Sequence, residues 1–358
     1  MDRHRIRKLG IGLLQYGVSL SILAYLVWDA QRDETFSRLI DEPKHWGLLG
    51  AAFALCMFSS LLTIVRWYVL VRALDIPFDP RNAFRLWFLG YLFNFISFGA
   101  VGGDVIKAFL LAREQPNHRA EAVATVLIDR VIGLYALLLL ASCSIIGFGA
   151  FASPQSQVRV ICQATLLVTL LMTAGLTVLM LPVVARWTDV PKVLWSEKLA
   201  HVVRRMVGAL AIYRRRPMAL VQALLYSFAV HIATTIGIYL IALGLPGASP
   251  TFAEHLVIVP MTLATGVLPL PGGLGAFEGA LDFLYQAVSA GQTVAPRQGL
   301  LVALVFRVIT IVIALVGVVF YIMNRRELAE ALARAESEEA AAEEELEHAE
   351  CSTPVVAT

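Results

Sequence analysis

Eight apolar segments succeed one another along the chain, at about 9–28, 46–65, 83–111, 122–150, 158–181, 218–244, 255–291 and 299–323. About 20 apolar residues in a helix cross the ~30 Å hydrocarbon layer of a bilayer, and soluble cores do not need such runs. The sequence therefore predicts an all-α polytopic membrane protein. Charged residues make up only 16% of the chain, against about 25% in a soluble domain, and hydrophobic residues make up 58%.

Charge orders the threading, because short cytoplasmic loops are rich in Lys and Arg. The first eight residues hold four basic side chains and one acid, and precede an apolar stretch too long for a signal peptide. They place the N-terminus in the cytoplasm and residues 9–28 as a retained first helix. Residues 29–45, with five acids and three bases, suit the outer side. Arg66, Arg72, Arg81 and Arg85 return the chain to the cytoplasm, and Lys107, Arg113 and Arg119 follow the third segment on the same side. The loop 182–217 carries eight Lys or Arg against two acids, and Arg325 and Arg326 follow the last segment. Positive flanks agree throughout only if 83–111 and 255–291 are re-entrant. The expectation is six spanning helices plus two re-entrant hairpins, with both termini cytoplasmic, in the cell membrane. Trp28 and Trp46 bracket the first outer loop, and Trp67 with Tyr68 stands at the inner end of the second segment, where amphipathic rings favour the headgroup level.

Both re-entrant segments are broken by glycine. The third carries Gly99-Ala-Val-Gly-Gly-Asp104, and the seventh carries Pro269-Leu-Pro-Gly-Gly-Leu-Gly275. Hydrocarbon cannot satisfy free backbone groups, so non-helical chain at membrane depth must be buried in protein or line a polar cavity. The breaks occupy matching places in two triplets, about 46–150 and 218–323, which start from opposite sides. That is the pattern of an inverted repeat, whose broken helices build a substrate site near the midplane. The body is thus a transmembrane domain over 1–323, followed by an acidic tail over 324–358 whose Glu-rich part reads as a solvated helix.

The candidate substrate-binding residues are Gly102, Gly103, Asp104 and Lys107 at the first break, and Pro271, Gly272, Gly273, Gly275 and Glu278 at the second. Asp129, Arg130 and Arg307, charged residues inside spans, complete the set. Intramembrane charges are costly and are paired or functional. A helix beginning at Gly103 offers free N–H groups to an anion such as phosphate, while Asp104 either caps that helix or carries a proton or a cationic headgroup. Glu278 is in turn explained by the helix dipole or by function. Asp129 and Arg130, as sequence neighbours, do not share a helix face, so distant partners are required. Glu278 and Asp282 are the candidates to pair with Arg307. His231 reads as a helix-contact residue.

No catalytic signature of the Walker A, HExxH or GxSxG kind occurs, and Cys56, Cys143, Cys162 and Cys351 form no metal-ligand or disulfide spacing. No metal or cofactor is expected. The basic loop suits anionic lipid at the membrane surface. Positive-inside topology explains its charge without nucleic acid.

At Arg66-Trp67, Gly102-Gly103-Asp104, Asp129-Arg130 and Pro271-Gly-Gly-Leu-Gly-Ala-Phe-Glu278 the chain resembles the flippase-like transmembrane region of the lysylphosphatidylglycerol synthetases, over about residues 10–325. The resemblance implies translocation of a phospholipid or lipid-linked headgroup. It gives no support for synthase activity, since the residues after Met323 hold no transferase domain. A membrane enzyme acting on a lipid-linked donor, and a scaffold for an envelope-modifying enzyme, are the alternatives. Homo-oligomerisation is compatible with each.

Overall fold

The computed structural model describes residues 41–96, 102–152, 155–180, 213–267, 273–289 and 294–323, with a few isolated positions besides. The described residues are helical with short connections. The helices are α1 (Trp46–Arg72), α2 (Pro80–Ile96), α3 (Gly102–Glu114), α4 (Arg119–Gly147), α5 (Ser156–Met180), α6 (Pro217–Gly244), α7 (Phe252–Ala264), α8 (Ala276–Val288) and α9 (Gln298–Met323). Five of them, α1, α4, α5, α6 and α9, are long and apolar enough to cross a membrane. These match the expected segments 46–65, 122–150, 158–181, 218–244 and 299–323, and the chain is a multi-pass membrane protein. The expected first span lies mostly outside the described residues, as do most of the basic loop and the acidic tail.

The two glycine-broken segments each form a pair of short helices. At 1.5 Å per residue, α2 reaches about 25 Å and α3, α7 and α8 about 20 Å each, less than the hydrocarbon thickness. Both pairs fold back on themselves. In the first, Asn94 Oδ1 accepts the Gly103 N–H at 3.1 Å near the break, and Arg85 pairs with Glu114 at the far end. Between them the backbones almost touch. A methyl group on Gly103 would stand 1.8 Å from the Gly90 carbonyl oxygen, so only glycine permits this approach. In the second, His255 on α7 meets Tyr285 on α8, Nε2 to hydroxyl at 2.7 Å, while His255 Nδ1 lies 2.9 Å from the Thr251 carbonyl oxygen. Thr251 starts α7 through a reciprocal cap, its hydroxyl accepting the Glu254 N–H while the Glu254 carboxylate accepts the Thr251 N–H.

At the centre, α1 and α6 run antiparallel over their full length. His45 N–H donates to the Gly244 carbonyl at one end; Ser59 Oγ and Thr234 Oγ1 are 2.8 Å apart midway; Arg66 reaches Ser227 near the other end. Small residues such as Gly237, against Cys56, let these two helices approach closely, as expected where packing rather than water drives association. The hairpins then lie against the opposite half: α2 packs on α9, and α7 packs on α4. Apolar side chains such as Leu170, Leu225 and Val319 stay exposed around the outside.

Candidate functional site

The first break delivers α3 into the interior with its N-terminus pointing between helices, and every charge the sequence offers there is met by another. Asp129, on α4, accepts from Arg66 Nε at 2.8 Å, and Arg66 Nη1 donates to Ser227 Oγ on α6 at 2.9 Å. Lys107 Nζ lies 3.7 Å from Asp129 and 3.9 Å from Asp104, and stands 4.3 Å above the centre of the Trp67 ring. Asp104 also pairs with Arg130. Trp67 is fixed in turn by its indole N–H, which donates to Thr125 Oγ1 at 3.3 Å. The result is one network of three cations and two carboxylates, formally +1, carried by α1, α3 and α4.

Burial divides this network sharply. Arg66, Asp104, Lys107 and Asp129 are all buried, whereas the Arg130 side chain is 55% exposed. Four charges are thus neutralised within the protein, as burial demands. The fifth, tethered to Asp104, still opens onto the surroundings. An arginine in that position presents a planar fork of N–H donors suited to a carboxylate or phosphate.

The second break builds a smaller cluster. Arg307 Nε donates to Glu278 Oε1 at 2.7 Å, and Glu278 Oε2 accepts the Gly275 N–H at 2.8 Å. Arg307 Nη2 also reaches the Gly273 carbonyl at 3.4 Å. Glu278 is completely buried and the Arg307 side chain is 14% exposed. Gly275 takes φ +82°, a conformation glycine adopts without steric cost, and so turns the chain into α8 with its N–H aimed at the carboxylate.

Of the residues singled out from the sequence, Gly103, Asp104, Lys107, Asp129 and Arg130 come together at the first break, with Gly102 opening α3. Gly273, Gly275, Glu278 and Arg307 come together at the second. Pro271 and Gly272 lie outside the described residues. The two candidate acids for Arg307 part company: Glu278 takes Arg307, while Asp282 accepts from Arg297 at 2.7 Å and from the Leu300 N–H at 3.2 Å, fastening α8 to the start of α9. Asp104 does more than occupy a helix start, because its carboxylate engages the side chains of Lys107 and Arg130. His231 is a helix contact, its Nε2 lying 2.9 Å from the Gly133 carbonyl oxygen.

Trp67 is fully buried beneath Lys107, where the cation and Thr125 give its π face and N–H partners inside the protein. Arg66 and Ser227 were not among the candidate site residues. Arg66 reads in the sequence as one more cytoplasmic-flank charge, and its proximity to Asp129 63 residues on carries no local signal. Among the described residues no group of His, Cys, Asp and Glu is arranged to hold a metal ion.

The family model described as the lysylphosphatidylglycerol synthase TM region matches residues 12–317, and so spans both breaks and both clusters. A UPF0104 membrane protein of Methanothermobacter thermautotrophicus is 27% identical over 259 residues, covering 66% of this chain and 76% of that protein. A second UPF0104 membrane protein, from Pyrococcus horikoshii, is 25% identical over 312 residues, covering 79% of this chain and 88% of its own. By extent of match, the chain belongs to the lysylphosphatidylglycerol synthase transmembrane-region family.

Proposed function

We propose that the protein is a transporter that moves the headgroup of a phospholipid or lipid-linked glycan across the cytoplasmic membrane, with both termini in the cytoplasm. The observation that carries this reading is the charged network at the first break, in which four of the five charged side chains are buried and Arg130 is half-exposed. A headgroup phosphate reaching Arg130 finds a guanidinium whose charge is only shared with Asp104, next to a cluster of net positive charge. Desolvation strengthens such an encounter relative to water. Lys107 and Arg66 hold the acids in place and keep the network's sign.

A second feature supports the same reading. Asp104 and Glu278 are each the third residue of the second helix of a hairpin. Their partners stand at comparable depths in the following span, Arg130 as the twelfth residue of α4 and Arg307 as the tenth of α9. With α1 and α6 antiparallel between them, the two halves read as an inverted repeat, 46–150 and 218–323. In such transporters a site between repeats opens alternately to each side. The half-exposed Arg130 and the nearly closed Arg307 then correspond to one open and one closed face.

The test is reconstitution in vesicles with headgroup-labelled phospholipids, followed by extraction and mass analysis of the lipids. Transbilayer movement of chemically unaltered lipid supports a transporter. Covalent change in the headgroup without movement would replace that reading with an enzyme on a lipid-linked donor.

A further inference from the structure

Lys107 is the most loosely held member of the charged network at the first break, and it is deeply placed. Its side chain is only 4% exposed, and its Nζ stands between two carboxylates whose other oxygens are already taken. Asp129 gives Oδ1 to Arg66 and turns Oδ2 toward Lys107 at 3.7 Å. Asp104 gives Oδ2 to Arg130 and turns Oδ1 toward Lys107 at 3.9 Å. An N–H···O hydrogen bond is about 2.7–3.2 Å long, so neither oxygen satisfies the three N–H donors of the ammonium, and the Trp67 ring covers it on another side. Buried donors are met by acceptors in folded proteins. The way in is short. Asp104 itself is buried, but Val105 beside it in the chain and Arg130 paired with it are both more than half exposed.

We propose that a lipid headgroup phosphate is held by Lys107 as well as Arg130, taking the place of the Asp104 carboxylate between them, and that the site selects an anionic headgroup without an amine. Asp104 borders both cations, so a group that reaches the two must displace it. Arginine binds phosphate through its planar fork and lysine as a point charge, and the pair together suits that group. Charge decides the class of headgroup. The network carries +1, and a phosphodiester of charge −1 brings it to zero, the condition that burial favours. An ammonium group on the same headgroup would restore the excess cation, and both carboxylates of the network are already shared among three cations. The inference deepens the reading of the first break as a headgroup site and rests on that site, not on movement of the lipid.

Equilibrium binding tests this separately from transport. Short-chain phosphatidylglycerol, short-chain phosphatidylethanolamine and inorganic phosphate are each titrated into the purified full chain in an uncharged detergent, with tryptophan fluorescence as the readout. Phosphatidylglycerol should bind at least fivefold more tightly than either of the others. Lys107→Gln and Arg130→Gln should each weaken its binding tenfold or more. Asp104→Asn, which weakens the internal competitor, should tighten it at least threefold, a gain that misfolding cannot produce. Unfolding midpoints on the same samples set aside any variant that has lost its fold. Equal affinity for the two lipids would overturn selection by charge, and inorganic phosphate binding as tightly as phosphatidylglycerol would overturn a lipid as the source of the phosphate. Unchanged or weaker binding by folded Asp104→Asn, or unchanged binding by Lys107→Gln, would overturn the place assigned to the phosphate. A protein that binds as expected but moves no lipid would refute transport and leave the inference standing.

Discussion

The Glu278–Arg307 pair offers a quantitative test of how charge is held at the second break. Its atoms are 2.7 Å apart, and at an effective dielectric of about 20 the attraction is ~6 kcal/mol. Removing the two ions from water costs several kcal/mol each, so the intact pair contributes little net stability. Breaking it is different. Arg307→Met leaves a fully buried carboxylate with the Gly275 N–H and no cation at its other oxygen, which should destabilise the protein by about 3–5 kcal/mol. Glu278→Met should cost less, because Arg307 retains the Gly273 carbonyl and some exposure. The double methionine variant removes both charges at similar volume and should recover at least ~2 kcal/mol of the summed loss. Denaturant titration in a single detergent, followed by tryptophan fluorescence, measures all four proteins. Single costs below ~1 kcal/mol, or a double variant additive within ~0.5 kcal/mol, would refute the claim that these two charges compensate each other.

Three further outcomes follow from the geometry. Gly103→Ala puts a methyl group 1.8 Å from the Gly90 backbone oxygen, so the hairpin must open; a loss of about 1–3 kcal/mol or more is expected in the same titration, while Gly147→Ala, with nothing within 4 Å, should stay within ~0.5 kcal/mol. Arg66→Met strips Asp129 of its closest cation and should cost about 3–5 kcal/mol, with expression falling in parallel. Thr251→Ala removes the cap of α7 and should cost about 1 kcal/mol, visible as faster amide exchange in residues 252–255.

Much of the architecture is legible in the chain because the membrane enforces it. Apolar length marks α1, α4, α5, α6 and α9, and the Gly102-Gly103 and Gly273–Gly275 turns mark where helices too short to span must fold back. The T-x-x-E start of α7 is local chemistry that the apolar segment 255–291 passed over. What sequence spacing cannot supply is the partner of a buried charge. Asp129 and Arg130 are adjacent yet face different neighbours, Arg66 from α1 and Asp104 from α3, and only the packing of three helices decides which. For Arg307 the choice between Glu278 and Asp282, one helical turn apart, was equally open. It is resolved by the turn at Gly275, which leaves Asp282 opposite Arg297 and the start of α9. The burial of Trp67 beneath Lys107 is hidden for the same reason, since the two residues lie on different helices 40 positions apart.

The most direct measurement compares transbilayer movement of headgroup-labelled phospholipid by the wild-type protein and by Arg130→Gln, in vesicles carrying equal amounts of folded protein. The substitution removes the charge that receives the phosphate; because it also leaves buried Asp104 with Lys107 as its remaining cation, some loss of stability is expected, and equal amounts of folded protein separate that loss from transport. Rapid movement by the wild type and a fall of tenfold or more in the variant is the predicted result. Equal rates in the two proteins would contradict a headgroup site at the first break, and no movement by either, with any phospholipid or lipid-linked glycan, would contradict transport itself.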